Sequence, residues 1–348
     1  MDIGAEKAFK PARILGIESS CDETAAAVIE NGRVLLSSVV ATQVELHMKY
    51  GGVFPEVASR QHIRTIYAVI DEALQKAHIS LKDLDAIAVT RGPGLAGSLV
   101  VGMNAAKGLA LASNLPLVGV NHLEGHIYSA WVYPADSQAI PQEPQFPLLA
   151  LLVSGGHTEL NLITDHMVYR RLGSTLDDAA GEAFDKVARL LSLPYPGGPS
   201  IQKAAANGNP EAFAFPRARL EGTWNFSFSG LKTAVLRVVR QFEHDKRSMP
   251  VEDLAASFQA AVVDVLLKKT LKAAQAFKVK EIVLAGGVSA NKALREAFTA
   301  QVAYRVHIPP LVLCTDNAAM IGAAGFYRFG LGQRDALDLD VLPTWPLS

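Results

Sequence analysis

Ile14-Leu-Gly-Ile-Glu18-Ser-Ser-Cys-Asp-Glu23-Thr-Ala-Ala-Ala-Val-Ile-Glu30-Asn-Gly32-Arg-Val-Leu-Leu-Ser-Ser-Val-Val40 reads as three strands folded back on one another. Ile14 to Glu18 is apolar, Ser19 to Glu23 turns the chain, and Thr24 to Glu30 returns. Asn31-Gly32 is the hairpin pair that tolerates positive φ, and Arg33 to Val40 makes the third strand. The same plan starts again after Pro147. Leu148 to Val153 is a strand, Ser154-Gly-Gly-His157 turns, Thr158 to Ile163 returns, Thr164-Asp-His166 turns again, and Val168 to Leu172 is a third strand.

Outward from the two blocks the match continues. The first is followed by an amphipathic helix, about Pro55 to His78, with Val57, Ile63, Ile66, Tyr67, Ile70 and Leu74 expected on its buried face. Then come a strand (Leu84 to Val89), the turn Arg91-Gly-Pro-Gly-Leu-Ala-Gly97, a small-residue helix to Ser113, a strand (Leu115 to Val120) and a helix opening at His122. The second block leads into helices near Asp178 to Leu191 and Val251 to Lys278, then a strand from Glu281 to Leu284. The turn Ala285-Gly-Gly-Val-Ser289, a helix to Ala300, a strand (Tyr304 to Ile308) and a last helix beginning at Thr315-Asp316-Asn317 complete it. The order β-β-β-α-β-α-β-α thus occurs twice. By fold-level analogy this α/β plan is that of two duplicated ribonuclease-H-like domains flanking a nucleotide cleft, the actin/Hsp70/sugar-kinase (ASKHA) architecture. The expected lobes span 13–145 and 146–330, with tails at 1–12 and 331–348. The second lobe carries an insertion, about 194–241, whose prolines and aromatics suggest recognition more than core.

A chain of 348 residues suits two domains, and 49% hydrophobic against 19% charged residues supplies two cores. Net charge is -1, from 33 Lys plus Arg and 34 Asp plus Glu, so no general attraction to nucleic acid follows. A polyanion would have to be held by local patches or by a second protein. The cysteines, Cys21 and Cys314, fit a reduced compartment. Met1 to Lys7 has no apolar core of the signal-peptide kind. The run Leu95 to Val120 is interrupted by Gly97, Gly102, Gly108 and Pro116 and contains Lys107, so it reads as buried helix and strand. A soluble, cytoplasmic protein is the expectation.

In Asn121-His-Leu-Glu-Gly-His126, His122 and His126 lie about 40° apart on one helix face, close enough to share a cation. A zinc protease would need a glutamate directly after the first histidine, where Leu123 stands. Glu124 lies about 200° round the helix and points away. The repeat pairs the helix opening at His122 with the one opening at Asp316, which nominates Asp316 as a third ligand contributed by the other lobe. Two histidines and a carboxylate suit zinc or ferrous iron. The competing role for Asp316 is a helix N-cap.

The turns offer a second constellation. The amides of Leu152-Val-Ser-Gly-Gly156 can face a phosphate, and Ala285-Gly-Gly-Val-Ser-Ala-Asn291 leads into a helix whose N-terminal amides favour anions. Each alone is also ordinary turn chemistry. In matching positions they imply a nucleotide, with Asn291 and Asp185 placed to read a ribose or base. Glu18, at the end of a buried strand, is a candidate general base whose pKa burial would raise.

Ten motifs now stand in order: Gly16-Ile-Glu-Ser-Ser-Cys-Asp-Glu-Thr24, Gly51-Gly-Val-Phe-Pro-Glu56, Arg91-Gly-Pro-Gly-Leu95, Asn121 to His126, Leu152-Val-Ser-Gly-Gly-His-Thr158, Asp185-Lys186, Tyr195-Pro-Gly-Gly-Pro199, Ser227-Phe-Ser-Gly-Leu-Lys232, Ala285 to Asn291, and Thr315-Asp-Asn317. From about residue 13 to 330 the chain resembles the TsaD family of tRNA threonylcarbamoyladenosine transferases. That resemblance implies transfer of threonylcarbamoyl from threonylcarbamoyl-AMP to the exocyclic amine of the adenosine next to the anticodon, in tRNAs reading codons that begin with A. It implies a metal on His122, His126 and Asp316, and substrate contacts at Leu152, Val153, Ser154, Gly155, Gly156, Asp185, Gly198 and Asn291. It further implies partners: tRNA, a paralogous actin-like protein and a small ATPase. Gln202 departs from the family, many members of which carry aspartate there. The rival readings are an ATPase or small-molecule kinase of the same superfamily, a protease, and a non-catalytic scaffold without the metal residues.

Overall fold

The computed structural model describes residues 9–218 and 220–347. β1 (Arg13–Glu18), β2 (Glu23–Glu30) and β3 (Val34–Thr42) form the expected antiparallel meander. The short α1 (Val44–Met48) precedes α2 (Pro55–Lys76), followed by β4 (Ala86–Gly92), α3 (Ala96–Ser113), β5 (Leu117–Asn121), α4 (His122–Tyr128) and β6 (Tyr133–Pro134). The second block runs β7 (Leu148–Val153), β8 (Thr158–Asp165) and β9 (Val168–Ser174), then α5 (Ala180–Leu190), α6 (Gly197–Ala205), α7 (Ser229–His244) and α8 (Val251–Ala276). It closes with β10 (Glu281–Ala285), α9 (Lys292–Ala300), β11 (Arg305–His307) and α10 (Ala318–Gly330).

One sheet has the order β5-β4-β1-β2-β3-β6 and the other β11-β10-β7-β8-β9. Within each block the arrangement is the same: the first strand is central, antiparallel to the second and parallel to the fourth. This is the duplicated ribonuclease-H-like plan. The central strands are covered on both faces, and all six residues of β7 are buried, so both strands are apolar without alternation.

The chain divides into two compact units. The first contains residues up to Val44, Val53–Gln142 and Asp316–Pro346; the second contains Glu45–Gly52 and Glu143–Thr315. This corrects the expected boundary at 330. The last helix belongs to the first unit because it is built of small and apolar residues that bury against β1 and β4. A Cβ added at Gly16 would collide with the backbone of Ala318 and Gly322, and one at Gly325 with the Cβ of Ala88. Only glycine allows that approach.

Three further expectations change. On α2 the buried stripe is Ala58, His62, Ile66, Val69, Ile70 and Ala73, while Ile63 and Tyr67 are 65% and 60% exposed. Counting His62 as polar displaced the stripe; its ring is buried between the Thr24 hydroxyl (2.7 Å) and the Cys21 carbonyl (3.0 Å). The insertion also contributes to the core: Phe226, Phe228, Leu231, Val235 and Val239 pack into the second unit's hydrophobic centre. The residues taken as tails are packed where described. Phe9 stacks edge-on against Tyr327, and Asp335 to Trp345 is hydrogen-bonded to the first unit. Residues 1–8, with the N-terminal stretch Met1 to Lys7, and Ser348 lie outside the described residues. Among the described residues no helix is long and apolar enough to cross a membrane.

Candidate metal centre and glycine-rich loops

In the first unit, β5 delivers the chain into α4, whose N-cap is Asn121; its side-chain oxygen accepts from Leu123 N at 2.9 Å. His122 and His126 follow one turn apart, their rings edge-to-face with centroids 4.7 Å apart. Asp316 stands just before α10. It is not the cap: Asn317 caps α10 by accepting from Met320 N, and the Asp316 carboxylate turns to the histidines. Asp316 Oδ1 is 3.5 Å from His122 Nε2 and 3.3 Å from His126 Nε2, and ligand atoms of all three residues lie within 4.8 Å of one another. The cluster is the expected one, with a correction: all three residues belong to one unit.

The residues fit a divalent cation. Edges of a tetrahedron with metal–ligand bonds of about 2.0–2.1 Å are about 3.3 Å, close to the 3.5 and 3.3 Å from Asp316 to the two histidines. His126 Nδ1 is buried with no hydrogen-bond partner, Nε2 faces only the Asp316 carboxylate at 3.3 Å, and burial holds the ring's pKa below its ordinary value, in the neutral form that ligates. Burial alone would lower His122 as well, but the carboxylates of Asp316 and Glu18 outweigh it and raise the ring to about 9. Two carboxylates facing buried imidazoles make a site that favours positive charge.

Glu18 is fully buried, yet its carboxyl is not raised as burial alone would have it. Burial pushes its carboxyl up; the His122 ring and hydrogen bonds from His122 and Thr90 outweigh that and hold it below the ordinary range. It accepts from Ser20 N, from Thr90 Oγ1 at 2.6 Å and from His122 Nδ1 at 3.1 Å. A proton on Nδ1 facing the carboxylate would leave the Nε2 lone pair toward Asp316 and His126, so Glu18 is placed to fix the orientation of the His122 ring. Ser20 and Thr90, unnoticed in the sequence, complete this support; Ser20 Oγ also meets His122 Nδ1 at 3.1 Å. Glu124 does point away, and it makes a buried bidentate pair with Arg328, both contacts at 2.6 Å.

The second unit gathers the glycine-rich segments. A Cβ on Gly181, at the start of α5, would strike the Ser154 carbonyl. One on Gly286 (φ +90) would meet the Val153 carbonyl, and one on Gly197 would meet Asp185. The end of β7, the starts of α5 and α6 and the loop before α9 therefore meet, while Gly155, Gly156, Gly198 and Gly287 face open space. Leu152 and Val153 are buried, so only their backbone is on offer.

Three polar residues are committed locally. Asp185 accepts from Gly197 N at 2.7 Å and anchors the Tyr195-Pro-Gly-Gly-Pro199 turn. Asn291 caps α9 through Leu294 N at 3.0 Å and donates to Gln259 at 2.8 Å, which leaves its second amide hydrogen uncommitted by these two bonds. Gln202, at the family's aspartate position, accepts from Lys292 N at 2.6 Å and ties α6 to α9. Of the basic residues that follow the insertion's aromatic stretch, Lys232 is paired with Asp178 at 3.0 Å, while Arg237 and Arg240 are exposed. A cavity of about 480 Å³, walled in part by Arg217, Trp224, Lys268 and Lys269, contains none of the expected site residues.

Two sheets of one topology define an actin/Hsp70/sugar-kinase-type protein, and a His-His-Asp cluster in it could hold a metal ion. Solved structures agree on the fold: full-length HypF in its phosphate- and nucleotide-bound form superposes with a TM-score of 0.62 at 13% identity over 94% of this chain and 47% of that one. HypF from T. kodakarensis gives 0.61 at 16%, over 93% and 48%. The family model described as TsaD, tRNA N6-adenosine threonylcarbamoyltransferase, matches residues 34–323. Relatives bearing that name include one from Thermomicrobium roseum, 54% identical over 96% of each chain, and one from Bacillus subtilis, 52% identical over 96% of each. The chain belongs to the TsaD family.

Proposed function

We propose that the chain transfers the threonylcarbamoyl group of threonylcarbamoyl-AMP to the exocyclic amine of the adenosine beside the anticodon, in the cytoplasm and on tRNAs reading codons that begin with A. The observation that carries this reading is the convergence of His122, His126 and Asp316 in a member of this family. A kinase or ATPase of the same fold has no use for a buried histidine pair, and that alternative is not favoured.

The donor is a mixed carbamoyl-phosphoric anhydride and already activated. The amine nitrogen bonds to the carbamoyl carbon, the carbon–oxygen bond to phosphate breaks, AMP leaves with the electron pair, and the nitrogen gives up a proton. What remains for the protein is to orient donor and amine and to favour the charge that develops. The second unit holds the AMP portion: the amides of Ser154 to Gly156 and the α6 N-terminus beyond Gly197, whose own N–H is taken by Asp185, receive the phosphate. His122, His126 and Asp316 hold one divalent ion, zinc or ferrous iron, with Glu18 fixing the His122 ring. Such an ion supplies Lewis acidity toward oxygen.

Gly156→Leu should weaken nucleotide binding severalfold and leave metal content unchanged, because a side chain there meets nothing in the fold and would fill only the space of the ligand. Calorimetric titration with the nucleotide reads it; unchanged affinity would move the nucleotide elsewhere. The whole proposal is tested by mass analysis of nucleosides from tRNA incubated with the chain and threonylcarbamoyl-AMP, with and without a paralogous actin-like protein and a small ATPase. Modified adenosine and matching AMP are expected, with repeated turnover only when the partners are present. Phosphate contacts need many cations, and this chain has no excess of them. Phosphoryl transfer from ATP without nucleoside modification would restore the kinase alternative.

A further inference from the structure

We propose that Trp345 is a positioning residue for the metal centre, an inference that rests on the metal reading of His122, His126 and Asp316. It touches none of the three, yet it is joined to both elements that present them.

The segment that carries it is laid down by specific contacts within the first unit. Asp335 accepts from Gly119 N at 2.7 Å, Leu342 N donates to the Arg91 carbonyl at 2.8 Å, and the Pro343 carbonyl accepts from Gly94 N at 3.1 Å. Gly92, at φ +158, lets the Leu342 carbonyl approach where any Cβ would block it. The segment delivers Trp345 to two guanidinium groups, those of Arg91 and Arg328, 5.5 and 5.6 Å from the ring centroid.

Each neighbour of Trp345 leads to the metal residues. Its carbonyl accepts from Asn121 Nδ2 at 3.1 Å. A carbonyl can only accept, so it holds the amide nitrogen of Asn121 toward itself and turns the amide oxygen to Leu123 N, the orientation that caps α4 directly before His122. On the other side, Arg328 is the residue of α10 that grips Glu124 of α4, between His122 and His126. Trp345 therefore sets the start of α4 and braces the pair that registers α4 against α10, the helix that follows Asp316. Outer groups of this kind decide whether ligands are presented in a binding geometry.

The test is zinc affinity of the full chain, measured by competition with a chelating dye, in wild type, Trp345→Ala and Trp345→Phe. Thermal unfolding of the metal-stripped proteins is followed in parallel. Trp345 is only partly buried, so the alanine variant is expected to fold. Its zinc affinity should fall about tenfold, the scale of outer-shell losses. Phenylalanine keeps an aromatic face for the two arginines and should restore wild-type affinity. An alanine variant that binds zinc as tightly as wild type, with or without a lowered unfolding midpoint, overturns the positioning role. A phenylalanine variant as weak as alanine overturns the stacking argument on which that role stands. Wild-type protein that takes up no zinc overturns the metal reading itself, an outcome distinct from either.

Discussion

Replacing His126 with alanine should abolish bound metal and lower turnover by about a thousandfold. His126 Nδ1 is buried with no hydrogen-bond partner and Nε2 faces Asp316, itself one of the three residues, so the ring has no bonding role outside the cluster to lose. Removing it leaves His122 and Asp316, and two ligands do not retain an ion that three were arranged to hold. Lewis-acid assistance is worth several kcal/mol, and about 4 kcal/mol corresponds to three powers of ten in rate. Elemental analysis and a turnover assay on the same preparation read the two effects together, with circular dichroism to show that the fold persists. Full metal occupancy in the variant would refute the ligand assignment. Full activity without metal would separate the ion from the chemistry.

The second large effect concerns stability. Arg328→Ala should cost about 3–5 kcal/mol, because it leaves Glu124, 2% exposed, as a buried carboxylate without its bidentate partner. Burial already pushes the Glu124 carboxyl up, and Arg328 is the group that opposes this. Replacing both residues together, Glu124→Leu with Arg328→Met, should recover much of the loss, since the cost lies in the stranded charge more than in the missing attraction. Urea unfolding of the two variants against wild type measures it. A loss below about 1 kcal/mol for Arg328→Ala would mean that water reaches Glu124 and that the pair does not register α4 against α10.

The sequence readings that survived share a physical origin. The two meanders, the Asn31-Gly32 hairpin, the apolar central strands and the four-residue spacing of His122 and His126 are local periodicities, set by backbone geometry over a few residues. The repeat of the whole plan was visible because each element kept that local signature, and it correctly brought Asp316 to the histidines. Its reason was wrong: the carboxylate arrives because α10 packs on β1, within one unit.

The amino-acid sequence by itself therefore determined the duplicated α/β plan, the histidine pair and the glycine-rich loops, since each follows from residue type and short spacing. Only the tertiary structure decided which carboxylate does what. Glu18 meets His122 from 104 residues away and becomes an orienting acceptor; Glu124 meets Arg328 from 204 residues away and becomes a brace. Asn291 is held by Gln259 and by its role as a helix cap, and Trp345, at the end of what looked like a tail, reaches the cap of α4. The state of a buried polar group is set by the partners it is given, and partners far along the chain leave no periodic trace in the sequence.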